Sequence, residues 1–236
     1  MNTSPPKTSL DNIRPSALEA RRGLRHDIVR QVLLEIFKGN LPAGTRLITQ
    51  KLSRQLGISA TPLREALVEL ASIGMVEISH NRGAVAVPFG PDEIRGIYQV
   101  RRVLESEAAR CAFGKIDRKS FEALRQEFRD YARRRSKSAA WLRSAMEADA
   151  RLHATIAVAC GSPRLVKEID GYALLMQTIS AAIGNRHHSQ EDAVREHLAI
   201  IDAFLSGTRE ECGRAMAKHI DATAHRVIAV MFPGRG

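Results

Sequence analysis

Asp149 and His153 stand four residues apart, so on a helix they project from one face, alongside Met146, Leu152 and Ile156. His197 shares a face with Val194, Ile201 and Phe204, and His219 shares one with Ala215, Met216 and Thr223. One carboxylate and three imidazoles are thereby directed inward from three helical stretches. The core of a helical bundle is a place where facing side chains assemble metal sites. Imidazole with carboxylate suits Zn²⁺, Ni²⁺, Fe²⁺ or Mn²⁺, and a set without Cys argues against a closed structural zinc site. The same four residues also read as a hydrogen-bonded polar core, the usual fate of a single His on a semi-apolar face. Both readings stand at this level.

A second group of residues suits nucleic acid. Ser59, Thr61 and Arg64 lie at the start of a helical stretch whose buried stripe is Leu63, Ala66, Leu67, Leu70 and Ile73. Pro62 fits a first helical turn, where its missing N–H is harmless, and Ser59 or Thr61 can cap it. Arg bonds guanine bidentately, and Ser or Thr bonds phosphates or base edges. His80, Asn81 and Arg82 form a polar, partly cationic turn between two alternating apolar runs.

The elements that must carry these groups follow from periodicity and punctuation. Residues 1–20 are rich in Pro, Ser, Thr and Asn and read as a flexible tail. From Arg21 to Lys38, Leu24, Ile28, Val32 and Ile36 recur every four positions, a helical pattern broken by Gly39 to Gly44. Short helices follow at Thr49–Leu56 and Ser59–Ile73, then a hairpin of Met75–Ser79 and Ala84–Val87. Helix, helix, tight turn, helix, hairpin is the order of a winged helix-turn-helix, here placed at 21–88. The second helix of the pair is then the recognition helix, whose N-terminal end enters the major groove.

Beyond Pro88-Phe89-Gly90-Pro91 the chain reads as helix almost throughout, near 92–113, 118–136, 139–159, 163–184, 190–205 and 208–231. Gly161 and Gly207 follow two of these helices, and Thr208-x-x-Glu211 is a capping box. The predicted fold is mainly α: a winged helix-turn-helix followed by an all-α bundle of six or seven helices at 92–231.

Composition narrows the function classes. The chain has 236 residues, 44% hydrophobic and 26% charged, which excludes a mostly disordered chain. No apolar run approaches a membrane span, and the N-terminus lacks the apolar stretch of a secretory signal. Cys111, Cys160 and Cys212 stand far apart and odd in number, which suits reduced thiols in a cytoplasmic protein. The net charge of +10 favours a polyanionic partner. Residues 1–90 hold 12 basic and 7 acidic side chains and residues 91–236 hold 24 and 19, so the shorter N-terminal part is the more basic per residue. Arg133-Arg134-Arg135 ends an amphipathic helix, where basic residues complement the dipole. Tyr131, Trp141 and Tyr172 read as packing.

Specific motifs sharpen both readings. Leu41 to Leu47, Ile58-Ser59-Ala60-Thr61-Pro62-Leu63-Arg64-Glu65-Ala66-Leu67, Gly74-Met75-Val76 and Arg82-Gly83-Ala84-Val85 resemble the LxPGxxL, VSRTPVREAL, GLV and RGxxV signatures of the GntR family of bacterial transcription regulators. The resemblance implies DNA contact through Ser59, Thr61 and Arg64, through Gln50 and Lys51 of the preceding helix, and through His80, Arg82 and Gly83 at the wing tip. Ala60 stands where many members carry Arg, so one guanine reader is absent.

Residues 92–231 resemble the FCD domain of the FadR-type subgroup. The motifs are Ile97 to Glu105, Asp149 to His153 with Ala159 to Leu165, Glu196 to Ile201, and Ala217-Lys218-His219. The metal-binding branch uses one Asp and three His, and Asp149, His153, His197 and His219 fill those positions. Leu152 replaces an aromatic residue and Ser162 an Asn. Arg101 matches the Arg of the first helix, which implies pairing with a small carboxylate at the metal, and Arg102 is its neighbour should the register shift by one. The resemblance thus implies a homodimeric, ligand-responsive regulator that binds palindromic double-stranded operator DNA and is not an enzyme. Repression relieved by a carboxylate metabolite is the commoner mode. A metal-free regulator with a larger or acyl-type effector, or a metal-dependent hydrolase, is the alternative.

Overall fold

The computed structural model describes residues 15–79, 83–134, 138–183 and 187–234. The chain divides into two compact units, Met1–Pro88 and Phe89–Gly236.

In the first unit, helix α1 (Pro15–Phe37) begins six residues before Arg21, within the segment read as tail. Pro15 suits a helix start because its fixed φ is already helical. The buried stripe of α1 is Ile28, Val29, Leu33 and Ile36, while Leu24 is exposed and Val32 only half-buried. The expected every-four stripe drifts because four residues turn about 400°, or about 40° beyond a full circle. Steps of four and three keep side chains over the core.

Strand β1 (Arg46–Leu47) precedes α2 (Thr49–Leu56) and α3 (Ala60–Ser72), and β2 (Val76–Ser79) and β3 (Gly83–Ala86) form the hairpin. The sheet is antiparallel in the order β1-β3-β2, with Leu47 opposite Ala84 and Ile78 opposite Ala84 on the other side. Helix α3 packs on α1, α2 and β2 through Leu63, Ala66, Leu67 and Leu70, all buried. Gly57 links α2 to α3 in the left-handed conformation at φ +65°, which permits the tight turn.

In the second unit the helices are α4 (Pro91–Ala112), α5 (Arg118–Arg133), α6 (Ala139–Ala159), α7 (Pro163–Asp170), α8 (Ala173–Ile183), α9 (His187–Ser206) and α10 (Arg209–Met231). Four starts are capped by side chains: Asp117 for α5, Ser138 for α6, Ser162 for α7 and the Thr208–Glu211 box for α10. Ser162 therefore performs the capping that an Asn at that place would also perform. Helix α4 packs along α10 and against α6, and α5 packs along α9. Trp141 and Tyr131 are buried, and the indole Nε1 donates to the Tyr131 carbonyl at 3.2 Å. Arg133 and Arg134 are exposed at the end of α5, and Arg135 lies outside the described residues.

Two further boundaries differ from expectation. The single helix expected over 163–184 divides at Gly171-Tyr172 into α7 and α8. A Cβ at Gly171 would lie 3.2 Å from the Glu168 carbonyl oxygen, so glycine permits the close turn. Helix α9 starts at His187 rather than at Gln190.

Gly83 opens β3 at φ +80°, and a Cβ there would lie 2.9 Å from the Leu47 carbonyl oxygen. A Gly83→Ala substitution combines backbone strain with a backbone clash. It is expected to destabilise the winged unit by about 1–3 kcal/mol. Chemical denaturation of the variant checks this, and an unchanged midpoint contradicts it.

Candidate metal centre and nucleic-acid interface

The nucleic-acid candidates separate into two sets. Gln50, Lys51, Ser59, Thr61 and Arg64 are all exposed, the first two on α2 and the last two on α3. Ser59 is the N-cap residue of α3, yet its side chain makes no capping bond. The hydroxyl and the first N–H groups of α3 therefore remain available to an acceptor such as a phosphate. His80 and Arg82 lie outside the described residues, and Gly83 serves the sheet geometry given above.

In the helical unit, α6 carries Asp149 and His153 one turn apart, α9 carries His197 and α10 carries His219. One ligand atom from each lies within 4.8 Å of every other. Asp149 Oδ1 is 2.8 Å from His197 Nε2 and 3.3 Å from His153 Nε2, and His153 Nε2 is 3.3 Å from His219 Nε2. His197 and His219 are buried, His153 nearly so, and Asp149 is half-exposed.

Second contacts fix how the imidazoles face. His153 Nδ1 makes a short contact with Glu105, and His219 Nδ1 lies 2.8 Å from Glu196 Oε2. A carboxylate at Nδ1 holds the proton there and turns the Nε2 lone pair toward the centre. Each of these carboxylates is held in turn by an arginine. Arg101 donates Nε at 2.8 Å and Nη2 at 2.7 Å to Glu105 Oε1. Arg226 donates Nη1 and Nη2 to the two oxygens of Glu196, at 2.5 and 2.7 Å, and Nη2 also reaches Thr223 Oγ1 at 2.9 Å.

The donor set fits a divalent transition ion. Bonds of about 2.1 Å separate neighbouring ligand atoms by about 3.0–3.4 Å, close to the spacings found. His197 supplies an independent sign: it is fully buried, and neither ring nitrogen makes a hydrogen bond. Its Nε2 is near Asp149 but outside hydrogen-bond geometry, as two ligands of one ion would be.

Arg101 is brought to this site. Its guanidinium is largely buried, lies 5.1 Å from the Tyr98 ring centroid, and lines the cavity beside Asp149 and His153. Arg102 is not. One residue further round α4, it points about 100° away, is half-exposed, and pairs with Asp221 at 3.0 Å. The cavity has two lobes of about 130 and 160 Å³ that share Arg101, Asp149 and His153 in their walls. The sequence reading missed Glu105, Glu196 and Arg226 as site residues. Their signal was present: Glu105 lies four after Arg101, Glu196 adjoins His197, and Arg226 lies two turns after His219.

The ion-free site has opposed titrations. Burial works against a charge on His153, but Glu105 and Asp149 outweigh it and hold its pKa up at about 10. Burial and the neighbouring imidazoles push His219 down to about 3, against the pull of Glu196. Burial would raise Glu105, but Arg101 and His153 hold it at about 2. Glu196 is likewise held at about 2, by Arg226 and His219 against burial.

The raised His153 stabilises the fold below its ordinary 6.5 and loses that contribution as pH climbs toward 10. The depressed His219 removes stability as pH falls below 6.5, and the two glutamates remove more below 4.5. Chelator-treated protein is therefore expected to be most stable near pH 6.5. Thermal unfolding across pH should show an alkaline limb that His153→Gln removes. A flat profile between pH 6.5 and 9, or a limb that survives the substitution, contradicts the assignment.

The sequence pattern of "Bacterial regulatory proteins, gntR family" matches residues 24–85, and that of the "FCD domain" matches residues 96–222. A probable D-xylose utilization operon transcriptional repressor of Paenarthrobacter nicotinovorans is 28% identical over 82% of this chain and 86% of its own length. The HTH-type transcriptional repressor RspR of Escherichia coli K12 is 23% identical over 94% and 92%. The solved structure of E. coli McbR/YncC superposes with a TM-score of 0.61 at 19% identity, covering 91% of this chain and 98% of that one, which supports the fold. With both patterns matched, and FCD alone spanning more than half its length, the chain belongs to the gntR family of transcription regulators, as a member with an FCD domain.

Proposed function

We propose that this regulator is a repressor released from its operator by a small carboxylate bound at a divalent metal in the helical unit. The observation that carries the reading is the convergence of Asp149, His153, His197 and His219 within 4.8 Å, backed by carboxylates at two of the three Nδ1 atoms. Zn²⁺, Ni²⁺, Fe²⁺ and Mn²⁺ all suit these donors. When bound, the metal supplies open coordination positions to a carboxylate oxygen. The protein's part is to hold the imidazoles, to offer Arg101 to the same carboxylate, and to close the site with Tyr98 and Met176.

The exposed Ser59 at the N-cap of α3 and Thr61 and Arg64 on α3 read the major groove, with Gln50 and Lys51 on the adjacent backbone. Two copies on a palindromic operator give two such helices, and a two-fold dimer imposes that symmetry. The effector acts by binding the operator-released state more tightly than the operator-bound one. Repression agrees with the names of the D-xylose operon and RspR relatives. Among the described residues no helix is long and apolar enough to cross a membrane, and we assign the protein to the cytoplasm, where its operator lies.

Elemental analysis of purified untagged protein is expected to give about one metal equivalent per chain, lost in an Asp149→Ala/His153→Ala variant. Protein that contains no metal and takes up none when offered it would sink the metal reading and leave the four side chains a polar core.

Arg64→Ala is expected to weaken operator binding about 10- to 100-fold, from the ~1–3 kcal/mol of a guanine contact. Lys51→Ala should lower affinity alike for operator and random DNA, and reduce the steepness of the salt dependence. Fluorescence anisotropy at several salt concentrations separates the two. Equal losses from both variants on random DNA would place Arg64 on the backbone instead.

A further inference from the structure

The two lobes of the cavity differ in charge and in uncommitted polar groups. The first holds His219 and Arg226. The second holds Asp170, Tyr172 and Gln177, with Ser180 in the shared wall. Among the described residues its one guanidinium is that of Arg101, in that shared wall.

Asp149, Glu105 and Glu196 outnumber the guanidiniums of Arg101 and Arg226 by one. A divalent ion converts that surplus into a single positive charge. One carboxylate then brings the cluster to neutrality, and a second leaves an uncompensated negative charge beside it.

The donors agree with this balance. Both terminal nitrogens of Arg226 are committed to Glu196. Arg101 commits Nε and Nη2 to Glu105, its Nη1 meets the Met176 sulfur at 2.7 Å, a weak acceptor, and the Tyr98 side chain also contacts the guanidinium. A single guanidinium edge thus remains for an incoming carboxylate, beside Asp149 and His153.

With the head group there, the rest of a ligand enters the second lobe. Gln177 and Ser180 make no side-chain hydrogen bond among the described residues, and Asp170 is exposed at the end of α7. The break at Gly171-Tyr172 brings Asp170 and the α8 face of Gln177 and Ser180 to one lobe. These groups accept and donate to hydroxyls, and the Asp170 carboxylate repels another carboxylate.

We propose that the second lobe is a subsite for the uncharged, hydroxyl-bearing tail of a monocarboxylate, and that Asp170 rejects acids carrying a second carboxylate. The inference rests on the reading that a carboxylate binds at the metal, and it narrows the effector to hydroxylated monocarboxylic acids.

The test uses full-length zinc-loaded protein and two matched pairs of acids. D-gluconate and D-glucarate differ at the far end by a hydroxymethyl against a carboxylate, and 4-hydroxybutyrate and succinate differ likewise. Isothermal titration is expected to show the monoacid of a pair binding at least ~10-fold tighter than its diacid. In Asp170→Asn that ratio should fall several-fold, and in Asp170→Lys it should invert. Both variants are expected to fold, because losing an acid at a helix C-terminus relieves a dipole conflict, and circular dichroism checks this.

Diacids that bind as tightly as monoacids in both pairs overturn the inference, as does a ratio unmoved by either Asp170 variant. Failure of all four acids to bind overturns the carboxylate reading together with it. A monoacid preference that persists in protein unable to take up any metal overturns the metal reading alone and upholds the tail subsite.

Discussion

Taking three imidazoles and a glutamate out of water is tolerable only when their polar atoms meet partners, because an unmatched charge in a helical core costs several kcal/mol. For two of the imidazoles the helical unit meets that demand with two parallel relays. Arg101 holds Glu105, which holds His153, and Arg226 holds Glu196, which holds His219. The first relay runs from α4 to α6 and the second from α10 through α9 and back to α10. The packing of α4 along α10 and against α6, and of α9 on α10, is thus also the packing that lets these side chains meet. His197 has no relay. It is the most buried of the three imidazoles, backed by the Phe128 ring at 5.0 Å between centroids. Its orientation comes from shape, while the other two are held by charge.

That division explains why the cavity lies where it does. Arg101 serves Glu105 with two nitrogens and faces the cavity with the third, so one side chain links the imidazole scaffold to the space where a ligand fits. Any group that draws Arg101 toward itself also acts on Glu105 and, through it, on the ring of His153. Binding free energies coupled in this way are reciprocal.

Much of this was legible in the sequence, for reasons that differ by residue. The winged unit declared itself through short turns and fixed spacings, because Gly57 and the Thr61-Pro62 start leave little conformational choice. Asp149 and His153 were legible because four residues make one helical turn. Arg102 was an ambiguity of register, and only the course of α4 separates it from Arg101. Glu105, Glu196 and Arg226 went unassigned because a residue that supports a ligand from behind has no spacing rule of its own. Strand β1 is two residues long, too short for any alternation to appear. The α7–α8 break was hidden because apolar residues continue on both sides of Gly171.

The uncapped start of α3 has a consequence for how the free regulator behaves. An N-cap side chain that bonds its own helix secures the first turn by about 1 kcal/mol, and Ser59 leaves that stabilisation unclaimed. The first turn of α3, like that of α2, is therefore readier to fray than the side-chain-capped starts of the helical unit. On a duplex, a phosphate oxygen can take the place of the missing cap. With α3 on the duplex as proposed, the backbone of the operator completes the first turn of the helix that reads it, and part of the ordering happens on the DNA. A regulator built this way searches loosely and tightens at contact.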